Sequence, residues 1–308
     1  MSNIFLGIEI GGTKIQVFVT DAQAKVIQRH KFYVGAKKDA AYIRNKLGER
    51  VSKIIQKNKV NAIGVGYGGP VDHQTGEVIT SHQVQGWSGY PLARWLQELT
   101  AVPVVVENDA NTAAFGEALR GAGRGYSRVF YVTLGSGVGG GYVIDEEIYH
   151  GNKPGEVEIG HIRLDRKGTI LENRCAGWAV DKKIRNYIKR NPECIMAEIV
   201  GSKQEGEARF LIKAIQNGDE GAEKILRETA ETFAFGLSHA IHILNPEIII
   251  LGGGLSLLGD PLVKAVVEKL PDYLMKAFDT PAVRIAELKE DAVCVGAALL
   301  AIKYIENL

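Results

Sequence analysis

The chain carries the same short plan twice, and this duplication limits the folds open to it more than any other feature. Residues 4–27 read IFLGIEIGGTKIQVFVTDAQAKVI and residues 129–149 read VFYVTLGSGVGGGYVIDEEIY. In each, an apolar strand runs into a glycine-rich bend with one hydroxyl residue, Thr13 or Ser136. A second apolar strand follows, then a turn opening at Asp21 or Asp145, then a third short strand. Strand, glycine bend, strand is a hairpin signature. A hairpin alone closes no core, so each copy needs further elements laid against it.

Those elements follow each copy. After the first, apolar periodicity predicts a helix over Ala40–Gln56, a strand over Ala62–Gly66, a helix near Pro91–Leu99, a strand over 102–106 and a helix over 110–119. After the second it predicts helices near Ala179–Lys189, Arg209–Gly218 and Gly221–Leu244, then a strand at Glu247–Leu251. A helix over Pro261–Phe278, a strand over Val283–Glu287 and an apolar helix over Ala292–Ile305 close the pattern, while 163–208 is poorly periodic. Strands alternating with helices argue an α/β protein. Two copies of one unit imply two similar lobes with a cleft between them, the final helix packing back on the first lobe. The smaller lobe is expected to comprise 1–118 with 292–308, and the larger 119–291.

Composition excludes several classes of partner. The 308 residues carry a net charge of +1, so no basic field argues for nucleic acid. No apolar run approaches the roughly 20 residues of a membrane span, and the N-terminal residues lack the features of a secretory leader. Cys175, Cys194 and Cys294 are odd in number and far apart, which fits neither a disulfide framework nor zinc-ligand spacing. A cytoplasmic protein with reduced thiols is the expectation.

Three glycine clusters and one polar triplet are candidates for chemistry. In GIEIGGTK, Gly11 and Gly12 allow close backbone approach to a ligand, and successive amides of such a bend form an anion nest. Thr13 adds a hydroxyl and Lys14 a charge. Glu9 is a candidate to hold magnesium through water, since this hard cation keeps carboxylate and water oxygens. The plain alternative is a tight hairpin turn. LGSGVGGG has five glycines in the seven positions 135–141, more than a hairpin needs, and a backbone laid against a polyphosphate by Gly135, Ser136 and Gly137 accounts for them. Gly135, Gly137 and Gly140 match GxGxxG, but a strand follows instead of the helix a dinucleotide site requires. In IIILGGGLS, Gly252, Gly253 and Gly254 are suited to receive a nucleobase or ribose, or else form a tight strand-to-helix turn. Finally, the buried strand of VPVVVENDANTAAFGEAL leaves through Glu107, Asn108 and Asp109. Helix capping explains the Asn and Asp, and so does a ligand site at the carboxyl end of a strand.

Taken together these stretches resemble the sugar kinase superfamily that shares the actin and heat-shock ATPase fold, of ribonuclease H-like type. Within it they resemble the family of repressors, open reading frames and kinases (ROK). The resemblance runs through EIGGTK at 9–14, GYGGPV at 66–71, QGW at 85–87, ENDANTAAFGE at 107–117, GSGVGGG at 135–141, GEVEIGH at 155–161 and ILGGG at 250–254. It implies an ATP- and magnesium-dependent kinase of the glucokinase type that phosphorylates a hexose hydroxyl, usually O6, in the cleft. It implies Asp109 as catalytic base, and Asn108, Glu158, His161 and Glu172 as sugar contacts, with Gly68 and Gly69 lining the sugar's other side.

Three departures from the family pattern qualify the resemblance. Glu9 stands where an Asp is usual, which shifts a metal-facing carboxylate. Gln83 stands where an Asn is common, which bears on sugar identity. IRLDRKGTILENRC lacks the family's cysteine-rich zinc spacing, so no zinc is expected and His161 would carry no metal. Other acceptors (fructose, another hexose, an N-acetylhexosamine), polyphosphate as donor, and a non-catalytic sugar-binding protein are the alternatives. A repressor of the same family would carry a DNA-binding domain ahead of the first strand, and that strand starts near residue 4. Dimers are common among such kinases, so a homodimer is compatible with the resemblance.

Overall fold

A computed structural model describes residues 3–35, 39–81, 84–155 and 157–307. Its first half runs β1 (Ile4–Ile10), β2 (Lys14–Thr20), β3 (Val26–Tyr33), α1 (Ala40–Ile55), β4 (Val60–Tyr67), β5 (Val71–Asp72), β6 (Glu77–Val78), α2 (Leu92–Thr100), β7 (Val104–Asn108) and α3 (Asp109–Arg120). The chain continues through β8 (Arg128–Leu134), β9 (Val138–Ile144), β10 (Glu147–Ile148), α4 (Glu172–Cys175), α5 (Gly177–Arg190), α6 (Ile195–Val200) and α7 (Leu211–Gln216). It ends with α8 (Glu220–Leu244), β11 (Ile248–Gly252), α9 (Asp260–Lys269), β12 (Ala282–Ile285) and α10 (Ala292–Glu306).

The duplication is realised in the sheets. One has the order β3-β2-β1-β4-β7 and the other β10-β9-β8-β11-β12. In each, the first strand of a three-strand meander pairs with a later strand of the α/β portion. In the first sheet β1 pairs antiparallel with β2 and parallel with β4. In the second, β11 runs parallel to both β8 and β12. By packing, the chain divides into unit 1 (Met1–Ser127, Gly141–Val157, Leu288–Leu308) and unit 2 (Arg128–Gly140, Glu158–Glu287). No helix among the described residues is long and apolar enough to cross a membrane.

In unit 1, the apolar positions of β1, β2 and β4 meet α1 and α2 in one cluster that includes Leu6, Ile8, Ile43, Leu47, Ile63, Trp87 and Leu96. Fully burying each such side chain contributes about 1.5–3 kcal/mol relative to exposure. α10 packs on β1, β4 and α3. It approaches so closely that a Cβ on Gly7 or Gly64 would run into its backbone at Cys294 or Ala297.

Two elements differ from the sequence reading. β7 does not stop before the polar triplet: Glu107 and Asn108 pair with Gly66 and Tyr67 of β4 and are buried, so only Asp109 enters the helix. Hydrogen bonding of their side chains, described below, makes that burial tolerable. The helix expected to reach Phe278 ends at Lys269, followed by a single tighter turn over Leu270–Asp272. Pro271 lacks the N–H that another α-turn requires and its ring crowds the preceding turn.

Candidate functional site

The N-terminus of α3 is built by capping. Asn108 Oδ1 accepts from the N–H groups of Ala110 at 2.8 Å and Asn111 at 3.1 Å. Its Nδ2 donates to the Gly69 carbonyl at 3.2 Å, and Thr112 Oγ1 donates to the Asn108 carbonyl at 2.6 Å. The capping explanation of the triplet therefore holds for Asn108. Asp109, the first helical residue, is half-buried. A methyl placed on Gly68 would stand 3.4 Å from Asp109 Oδ2, 3.4 Å from the Ile10 carbonyl and 3.6 Å from Gly11 Cα. The carboxylate and the first glycine bend thus flank one glycine, whose own N–H donates to Ile10 O at 2.9 Å. Gly69, at φ +156°, adopts a backbone that favours glycine. Burial raises the Tyr67 phenol above its ordinary pKa; a bond with Ser81 opposes this and the Asp109 charge adds to it.

The first bend is a four-residue turn closed by Gly11 N–H donating to the Lys14 carbonyl at 3.1 Å. Thr13 is exposed and Gly12 half-buried at its tip. Glu9 is anchored on one side: its Oε2 accepts from Gln16 Nε2 at 2.6 Å and lies 3.3 Å from Lys14 Nζ. Among the described residues, no cluster of three His, Cys, Asp or Glu side chains is arranged to hold a metal. A magnesium ion carried by a nucleotide needs only one or two protein carboxylates, the remaining oxygens being phosphate and water.

In unit 2 the second bend is braced from outside. Gly135 N–H donates to Gly137 O at 2.9 Å, and Gly177 N–H donates to Gly135 O at 2.8 Å. Val138 N–H donates to Glu172 Oε2 at 2.9 Å. A Cβ on Gly137 would lie 2.6 Å from that oxygen. Glu172, assigned by resemblance to the sugar, thus has one oxygen engaged by the loop. Ser136, Glu158 and His161 are exposed. The last two share a single turn, with His161 N–H donating to the Glu158 carbonyl at 3.0 Å. Of the third cluster, Gly252 and Gly253 are required by packing, since a Cβ there would strike Tyr131 or the Leu134 backbone, whereas Gly254 faces open space. Gln83 lies outside the described residues. Cys175 is buried, its Sγ 3.8 Å from the Thr229 carbonyl, and burial raises its thiol pKa to about 12.

Sequence reasoning passed over one group of residues. Glu107 is buried at 4% exposure, and its Oε1 accepts from Asn108 N–H at 2.8 Å and Asn111 Nδ2 at 3.0 Å. Its Oε2 lies 2.6 Å from His150 Nε2. The His150 ring is stacked on His73, centroids 3.8 Å apart and planes within 12°. The triplet had exposed Glu107 to notice, but nothing local pointed to a histidine 43 residues away.

Comparison with known proteins agrees with this architecture. The model for the ROK family matches residues 5–304. The chain is 30% identical to a glucokinase of Thermotoga maritima over 95% of both sequences. It is similar to the crystal structure of a ROK family glucokinase from Streptomyces griseus in complex with glucose and AMPPNP. That likeness has a TM-score of 0.85 and 29% identity, over 98% of this chain and 100% of that one. A ROK hexokinase from Thermus thermophilus gives a TM-score of 0.81 at 27% identity, over 99% and 100% of the two chains.

Proposed function

This chain belongs to the ROK family, and from that premise we propose that it is an ATP-dependent sugar kinase whose acceptor is a hexose, glucose first among the candidates, phosphorylated at O6. The observation that carries the reading is the juxtaposition at Gly68: the Asp109 carboxylate at 3.4 Å and Gly11 Cα at 3.6 Å from the same point, the place of a Cβ on that glycine. Likeness to a glucokinase along nearly the whole length supports it, as does likeness to a kinase crystallised with glucose and an ATP analogue.

The chemistry needs placement and charge compensation more than covalent assistance. A sugar hydroxyl is a weak nucleophile. Asp109 orients it and accepts its proton as the new oxygen–phosphorus bond forms and the bond to the ADP oxygen breaks. The proton then passes to solvent. Backbone amides of the 11–13 and 135–137 bends stabilise the phosphates, aided by Thr13, Lys14 and Ser136. Magnesium, arriving with ATP, supplies neutralising charge. With Glu9 Oε2 held by Gln16 and Lys14, the role assigned to Glu9 is to hold a water of the metal's shell through Oε1. Asn108, Glu158, His161, Gln83 and Glu172 are assigned to the sugar, Glu172 through the oxygen that does not brace Val138. Gly254 is assigned to the nucleoside, because only there does the third cluster leave open space.

The test is a coupled ADP-release screen with magnesium ATP over glucose, fructose, mannose, allose and the N-acetylated hexosamines, with phosphorus NMR of the product. Sugar-stimulated ADP release and a 6-phosphate are expected. No stimulation by any hexose refutes the kinase, and phosphate on another hydroxyl refutes the O6 assignment.

A further inference from the structure

A carboxylate buried to the extent of Glu107 is costly unless each oxygen has a donor. Here the donors are divided with a clear logic. One oxygen collects the Asn108 N–H and the Asn111 side chain, both at the root of α3. The other takes His150 Nε2 at 2.6 Å. A carboxylate has no proton to give, so Nε2 carries the hydrogen and the imidazole is the donor. Asn111 Nδ2 also donates to the Gly155 carbonyl at 3.0 Å, tying the same helical turn to the segment that follows His150. A Lys153–Asp72 ion pair of 2.7 Å fastens that segment to β5. The stacked His73 covers one face of the His150 ring. Burial and the neighbouring His150 lower the pKa of His73, while Glu107 and Asp72 oppose them and Lys153 adds to them.

We propose that Glu107 and His150 form a positioning couple that fixes the first turn of α3, and with it the Asp109 carboxylate, in the orientation the transfer requires. The proposal rests on the kinase reading above for its catalytic consequence. Asp109 follows directly on Asn108, whose N–H is held by Glu107 and whose side chain caps the next two amides. Losing the His150 donor leaves Glu107 Oε2 without its partner in a buried setting. The carboxylate must then turn toward water or toward the Asn donors, and the cap moves with it. Displacement of about 1 Å at a reacting group costs on the order of a hundredfold in rate.

The experiment compares His150→Phe, which keeps a ring and removes the donor, with His150→Gln, which keeps an amide donor of similar reach. Steady-state kinetics with magnesium ATP and the accepted hexose are combined with hydrogen exchange over 107–113. In His150→Phe, kcat is expected to fall about 10- to 100-fold, both KM values to hold within about threefold, and exchange to accelerate. His150→Gln is expected to recover most of both losses. A kcat within about threefold of the parent in His150→Phe overturns the proposal, as does His150→Gln failing as badly as the Phe variant. If the parent phosphorylates no hexose, the kinase reading falls by itself. The couple is then decided by exchange: faster in Phe and restored in Gln sustains it, unchanged exchange overturns it. Should His150→Phe not fold, His150→Ala replaces it, because it removes the ring donor to Glu107 without adding bulk. The same loss of kcat is expected there, and parental kinetics overturn the couple.

Discussion

Replacing Gly137 by Ala isolates the second glycine bend. The new Cβ would lie 2.6 Å from Glu172 Oε2 and 3.5 Å from its Cδ. What it meets is the end of a flexible side chain, so the carboxylate swings away and the fold survives. Gly137 does not occupy a positive-φ conformation, so alanine adds no backbone strain. The swing breaks the 2.9 Å bond from Val138 N–H to Glu172. A hydrogen bond to a charged acceptor contributes about 1.5–3 kcal/mol. If that energy orders amides that grip phosphates, affinity for a non-hydrolysable ATP analogue falls about 10- to 100-fold, each 1.4 kcal/mol being tenfold. Titration calorimetry with analogue and magnesium reads this directly; because the same swing moves the Glu172 carboxylate assigned to the sugar, sugar affinity is expected to fall as well. Analogue affinity within about twofold of the parent would refute the assignment of this loop to the phosphates.

Two further predictions concern Asp109 and acid stability. Asp109→Asn should lower kcat by about 10²–10⁴-fold, while the lost charge at a helix N-terminus costs only about 0.3–1 kcal/mol of stability; turnover near the parental rate would remove the base. His73 and His30 both have pKa values lowered from 6.5, chiefly by burial, with His150 the next cause for one and Arg50 for the other. The unfolded chain therefore binds these protons first, and their effect is to reduce stability as pH falls below 6.5 toward the folded values. Denaturant midpoints should drop through this window, ahead of the loss from Asp72, Asp165 and Glu290, whose pKa values are lowered from 3.8, 3.8 and 4.5. His73→Gln should flatten the drop, and an unchanged slope would contradict it.

The alternation of apolar residues around glycine bends made both meanders readable, because each strand's hydrophobic face and each turn are local properties. The parallel partners β4 and β7 were readable as strands for the same reason. The end of β7 was not: Glu107 and Asn108 look like loop residues until the donors that satisfy them are in place, and His150 comes from a distant hairpin. The stretch 163–208 showed little periodicity because α4 and α6 are short, too brief to display an apolar stripe. The bend glycines and Asp109 stood out from composition and from family resemblance. The brace from Glu172 to Val138 did not, since a bond between residues 34 apart leaves no local trace.

Because α10 belongs to unit 1 yet follows all of unit 2 in the chain, the two units cannot mature in the order of synthesis. β1 and β4 expose the very glycines that receive this helix, Gly7 and Gly64, until residues 292–306 leave the ribosome. Unit 2 is an uninterrupted stretch from Glu158 to Glu287 apart from its first thirteen residues, Arg128–Gly140, and can organise while the earlier sheet still waits. The face of β1 and β4 that α10 covers is therefore completed last, after every strand of unit 2 has been made.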